Sequence, residues 1–89
     1  MKNLEKLKKF IIDNNLEFDI SGSGLNSACT ILAGHACYLG FSKEDTEILS
    51  TLMPTSYAGI EFKNVFKYAF DRNYKKFWET EEAKKMYKF

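Results

Sequence analysis

The chain has 89 residues, 45% of them hydrophobic and 16% aromatic, with a formal net charge of +1. A chain of this length buries only about 65% of its unfolded surface, so one domain spanning residues 1–89 is expected. The balanced charge excludes the strongly basic composition of a general nucleic-acid binder. No run in the sequence reaches the ~20 apolar residues of a membrane helix, so no membrane role is expected.

Charge is segregated along the chain. Residues 1–12 carry +3, residues 13–61 carry −6 and residues 62–89 carry +4. Ends that fold against the middle would compensate one another, and the same pattern would serve head-to-tail self-association or an anionic partner. Cys29 and Cys37 lie in an apolar stretch without the spacing of a disulfide framework, which fits two buried thiols in a reducing compartment. The first residues are charged every few positions and do not read as a secretory leader. A cytoplasmic protein is therefore expected. Lys outnumbers Arg, with Asn, Ile, Phe and Tyr frequent, a bias typical of AT-rich genomes such as low-GC bacteria and their phages.

Residues 3–14 predict an amphipathic helix, with Leu4, Leu7, Phe10 and Ile11 on one side and Lys6, Lys8 and Lys9 largely on the other. Asn3 is placed as its cap and Asn14-Asn15 as its stop. Residues 16–20 alternate apolar and acidic side chains, the pattern of a short extended segment, although no partner strand is evident. A Ser-Gly turn follows. Residues 25–39 then predict a helix that is apolar nearly all round, which must be buried on most sides. Such a helix in so small a domain predicts a homo-oligomer that covers it.

Gly40 ends that helix, with Phe41 packing back. Ser42 and Asp45 form a capping box for the next helix, whose apolar face is Ile48, Leu49, Leu52 and Met53, and Pro54 stops it. Residues 55–59 read as a loop. From Ile60, Phe62, Val65, Phe66, Ala69, Phe70, Asn73 and Phe77 follow helical spacing. This helix either runs to the end or, as preferred, breaks near Glu79-Thr80, where Thr80 caps a last helix with Glu81 and Glu82 in its first turn. The expected fold is mainly α: a compact bundle of four to five helices with one short extended segment at residues 16–20.

Four groups of residues could carry chemistry. In the turn at residues 21–27, Ser21, Gly22, Ser23, Gly24, Asn26 and Ser27 resemble a phosphate cradle at a helix start. That is the basis of the alternative reading, a phosphate or nucleotide binder that works across a subunit interface. The lysine of a P-loop and the third glycine of a dinucleotide fingerprint are missing. His35 stands about 9 Å along the helix from Cys29 and about 120° round it, so the two cannot form a dyad within one helix. Glu44, Asp45 and Glu47 suit a helix dipole rather than acid–base work. No metal site and no cofactor are expected.

The last group is a basic and aromatic run in which Tyr68, Arg72, Tyr74, Lys75 and Trp78 stand partly off the core stripe. Exposed together they would form a patch for a protein partner. A single Arg makes nucleic acid the weaker choice. The acids after Ser42 also argue against a recognition helix following Gly40. The leading expectation is a small non-catalytic binding protein, a regulator or inhibitor of the phage or mobile-element kind, that occupies a macromolecular partner. On that expectation, replacing Tyr74 and Trp78 with Ala weakens capture and leaves the fold intact.

Overall fold

A computed structural model describes residues 2–18 and 24–89. Among the described residues it is all-helical, with six α-helices and one 3-10 turn. The extended segment expected at 16–20 is described only for Leu16, Glu17 and Phe18, which are neither helix nor strand. Asp19 and Ile20 lie outside the described residues.

Helix α1 (Lys2–Asp13) buries the predicted stripe, with Leu7 and Phe10 fully enclosed and Leu4 and Ile11 packed beside them. Asn3 does not cap it. The helix already includes Lys2, and the Asn3 amide instead donates to the Leu39 carbonyl at 2.7 Å, tying α1 to the end of the next helix. Helix α2 (Gly24–Tyr38) is the centre of the molecule. Its buried residues include Leu25, Ala28, Cys29, Leu32, Ala33, Gly34, His35, Ala36 and Cys37. Neighbouring helices of the same chain pack around it, α4 and α5 foremost.

Beyond Gly40 the expected capping box is present: the Asp45 carboxylate accepts from the Ser42 backbone N–H at 2.8 Å. It opens a 3-10 turn, and α3 (Thr46–Ser50) is shorter than its apolar pattern implied. Helix α4 (Ser56–Asp71) starts earlier than expected. Residues 56–59 are helical because the Thr55 side chain accepts from the Ala58 N–H at 3.0 Å, a cap the sequence reading passed over. Ala58, Phe62, Val65, Phe66 and Ala69 make α4 the main neighbour of α2. A single-turn helix, α5 (Lys75–Trp78), and α6 (Glu81–Met86) complete the fold. The break at Glu79-Thr80 stands as expected, with the Thr80 hydroxyl accepting from the Ala83 N–H.

A second break, before α5, was not anticipated. Three helices end in one way: α1 at Asn15, α2 at Gly40 and α4 at Asn73, each with positive φ. In each case the following N–H (Leu16, Phe41 or Tyr74) donates back to the carbonyl five residues earlier, the Schellman pattern. The residue that donates is apolar or aromatic and folds onto the helix it terminates. Asn73 therefore turns the chain and sends Tyr74 and α5 across α2.

The crossing requires Gly34. A Cβ at this position would lie 2.8 Å from Trp78 Nε1 and 3.4 Å from the Tyr74 Cβ. Trp78 is only 3% exposed, so its indole has no room to retreat. Ala favours a helix over Gly by about 1 kcal/mol, but overpacking costs about 1–3 kcal/mol. Gly34→Ala is therefore expected to lower stability, by up to about 2 kcal/mol net, in urea unfolding. A variant as stable as the wild type would show that α5 can lift away freely.

Candidate functional site

Where α5 crosses α2, side chains cover the centre of the contact and leave its margin open. The result is an apolar groove of about 340 Å³. Thr30, Ile31 and Gly34 of α2, Asn73 and Tyr74 of the turn, Phe77 and Trp78 of α5, and Tyr87 line it. Its size is at the low end of the ~300–1,000 Å³ range of ligand pockets. It has room for one or two bulky side chains.

Tyr87 is positioned from the other end of the sequence. The Asn14 side chain donates to the Lys88 carbonyl at 2.8 Å and accepts from the Lys88 N–H at 2.7 Å. These paired bonds hold residues 87–89 against α1. Locally Asn14 is only a helix stop, since nothing in the nearby sequence signals a partner 74 positions away.

Behind the groove is an aromatic box around His35. Its imidazole stacks on Phe10 at 3.9 Å between centroids, with Trp78 at 4.7 Å and Phe89 at 5.1 Å. His35 is 2% exposed, and its Nδ1 has no hydrogen-bond partner. Burial pushes its pKa from 6.5 down to about 4. The thiols are shifted the opposite way. Burial pushes Cys29 up to about 11, with Glu61 adding to the effect. Burial also pushes Cys37 up to about 11, against the opposing charge of Lys75. Among the described residues, no three His, Cys, Asp or Glu side chains converge to hold a metal ion. None of the described helices is long and apolar enough to cross a membrane.

The five residues expected to form one patch are divided. Tyr68 is 52% exposed on α4, and the Arg72 guanidinium sits over its ring at 4.9 Å. These two are not part of the groove lining, whereas Tyr74 and Trp78 are, and Lys75 is exposed next to Tyr74. The expectation that Trp78 lies exposed with the others is corrected: it belongs to the core, with one side lining the groove. The Asn73 turn is the reason, because it takes α5 off the α4 axis and removes the shared face that an unbroken helix would have given. Ile31, Gly34, Phe77 and Tyr87 were not singled out as site residues. Of the alternative site, Ser21, Gly22 and Ser23 lie outside the described residues. Gly24 and Ser27 are exposed at the start of α2, and the Asn26 amide donates to Glu61 Oε1 at 2.9 Å. That contact puts a carboxylate near the helix start, where it opposes a bound phosphate.

No family model, no curated protein and no solved structure matches this chain.

The folded protein keeps His35 neutral, whereas the unfolded chain takes up a proton below about pH 6.5. The stability His35 contributes is therefore complete above pH 6.5 and is lost as pH falls toward 4, by up to about 3 kcal/mol. Urea unfolding across pH 4–7 should show that loss in the wild type relative to His35→Leu, and parallel profiles would contradict it. Trp78→Ala should cost about 3–5 kcal/mol, against about 1 kcal/mol for Phe77→Ser, since Phe77 is 38% exposed. Equal losses in guanidinium unfolding would mean that Phe77 is also a core residue.

Proposed function

We propose that this chain is a non-catalytic binding protein that acts by occupying a protein partner, a regulator or inhibitor, with the groove between α2 and α5 as its contact. The groove itself carries this reading. It is apolar, aromatic on one side, and built on a helix crossing that buried residues hold in place. Interface hot spots favour such a setting, in which Trp and Tyr surround a desolvated pocket. A bulky apolar side chain buried there would contribute about 2–3 kcal/mol.

The chemistry of the buried groups supports the same reading. Thiols with pKa values near 11 are protonated at neutral pH and are weak nucleophiles. The histidine that could activate them is enclosed by aromatic rings. Unpaired buried thiols also suit a reducing compartment, so the partner is sought inside the cell.

Affinity capture from source cells, read by quantitative mass spectrometry, tests the proposal. The wild type should retain a protein that Phe77→Ser loses by at least about tenfold, and Tyr68→Ser should still retain it. A partner lost with Tyr68→Ser but kept by Phe77→Ser would move the contact to α4 and reject the groove.

A further inference from the structure

We propose that the groove between α2 and α5 binds a small, neutral, largely apolar molecule carrying one hydrogen-bond acceptor, which the Trp78 indole N–H recognises. This goes beyond the partner reading and is independent of it. Such a molecule and a partner's side chain would exclude each other from the same space.

The donor carries the inference. Trp78 is 3% exposed, and a buried indole N–H ordinarily finds a hydrogen-bond partner. Among the described residues none accepts from it. The side-chain hydrogen bonds nearby run from the Thr80 hydroxyl to the Phe77 carbonyl and from the Ala83 N–H to Thr80, and they leave the indole out. His35 Nδ1 is the one described side-chain atom that is both enclosed and unpartnered. The Trp78 N–H is unpartnered without being enclosed, so it keeps an opening. Its position shows where that opening lies. A Cβ on Gly34 would meet Nε1 at 2.8 Å and the adjoining Cδ1 at 3.5 Å, with the Tyr74 Cβ at 3.4 Å. The N–H edge of the indole therefore lies against Gly34 and Tyr74, and all three residues line the groove. The bare backbone of Gly34 keeps this corner clear.

The rest of the lining sets the class of ligand. A cavity of about 340 Å³ suits a small molecule. None of the described lining residues is Asp, Glu, Lys, Arg or His, so an ionised group would be desolvated there without a counter-charge. Ile31, Tyr74, Phe77 and Tyr87 offer apolar and aromatic surface to the body of the ligand. The Thr30 hydroxyl is already engaged, donating to the Asn26 carbonyl at 2.8 Å. A carbonyl oxygen or an uncharged ring nitrogen complements a single N–H donor in such surroundings. A site built on that donor discriminates against an analogue that lacks the acceptor.

The chain has a single Trp, so its indole gives one cross-peak in the proton–nitrogen correlation spectrum of the labelled protein. Acetophenone and α-methylstyrene are the probes: they share a ring and a shape, and only acetophenone has an acceptor. Acetophenone should move the indole proton downfield and saturate with a Kd of about 1 mM. The α-methylstyrene probe should produce no downfield movement. Phe77→Ser should weaken acetophenone binding about tenfold or more, and a dispersed spectrum establishes that this variant is folded. No saturable downfield shift with acetophenone would overturn the proposal. Equal downfield shifts with both probes, or an acetophenone affinity unchanged in Phe77→Ser, would also overturn it.

Discussion

The indole of Trp78 rests against the bare backbone of Gly34, and the other parts of the site are arranged around that contact. With no side chain at Gly34, α5 approaches α2 more closely than any Cβ would allow. The approach places Trp78 between Phe10 and His35 on one side and Tyr87 on the other. The ring thereby joins α1, α2, α5 and the end of the chain in one cluster. The groove is the margin of this crossing that no described side chain fills. The core and the candidate site share residues, so Trp78 cannot be altered as a surface residue could.

The crossing depends in turn on how the helices end. Asn15, Gly40 and Asn73 each adopt a left-handed conformation, which Gly takes readily and Asn tolerates better than most residues. Each turn passes the chain to a residue that packs back: Leu16, Phe41 or Tyr74. These tight reversals turn the chain so that the described helices pack around one apolar helix. The Asn14 clasp on Lys88 does similar work over long range, closing residues 87–89 onto α1. Small domains have little core to spare, and here specific hydrogen bonds set the paths by which aromatic side chains reach it.

The polar groups in this core bear on function as well as stability. His35 stacks among rings with an unpartnered Nδ1, and both cysteines sit in apolar surroundings. Burial disfavours the charged form of each, which lowers the histidine and raises the thiols. Groups shifted in these directions remain neutral at pH 7 and act as packing. The exposed lysines near the end of the chain, Lys75, Lys76 and Lys88, are not among the residues that line the groove.

Much of the architecture was determined by the sequence alone. Helical spacing located α1, α2 and the core stripe of α4. Gly40, the Ser42 and Asp45 box and the Thr80 cap were readable because each is a local pattern with a local physical cause. The Asn73 turn was not readable, because Asn73 falls in register with the stripe of Phe62, Val65, Phe66, Ala69 and Phe70, and nothing local separates a left-handed Asn from a helical one. That single turn decided which aromatics became core and which became groove. It moved Trp78 inside, separated Tyr68 and Arg72 from Tyr74, and brought Ile31 and Gly34 opposite Phe77. Pairings across long stretches of chain, such as Asn14 with Lys88 and Gly34 with Trp78, have no periodic signature, since they arise only when separate elements pack. The tertiary structure alone therefore decided where the groove lies, whereas its materials, small residues on α2 and aromatics near the end of the chain, were already present in the sequence.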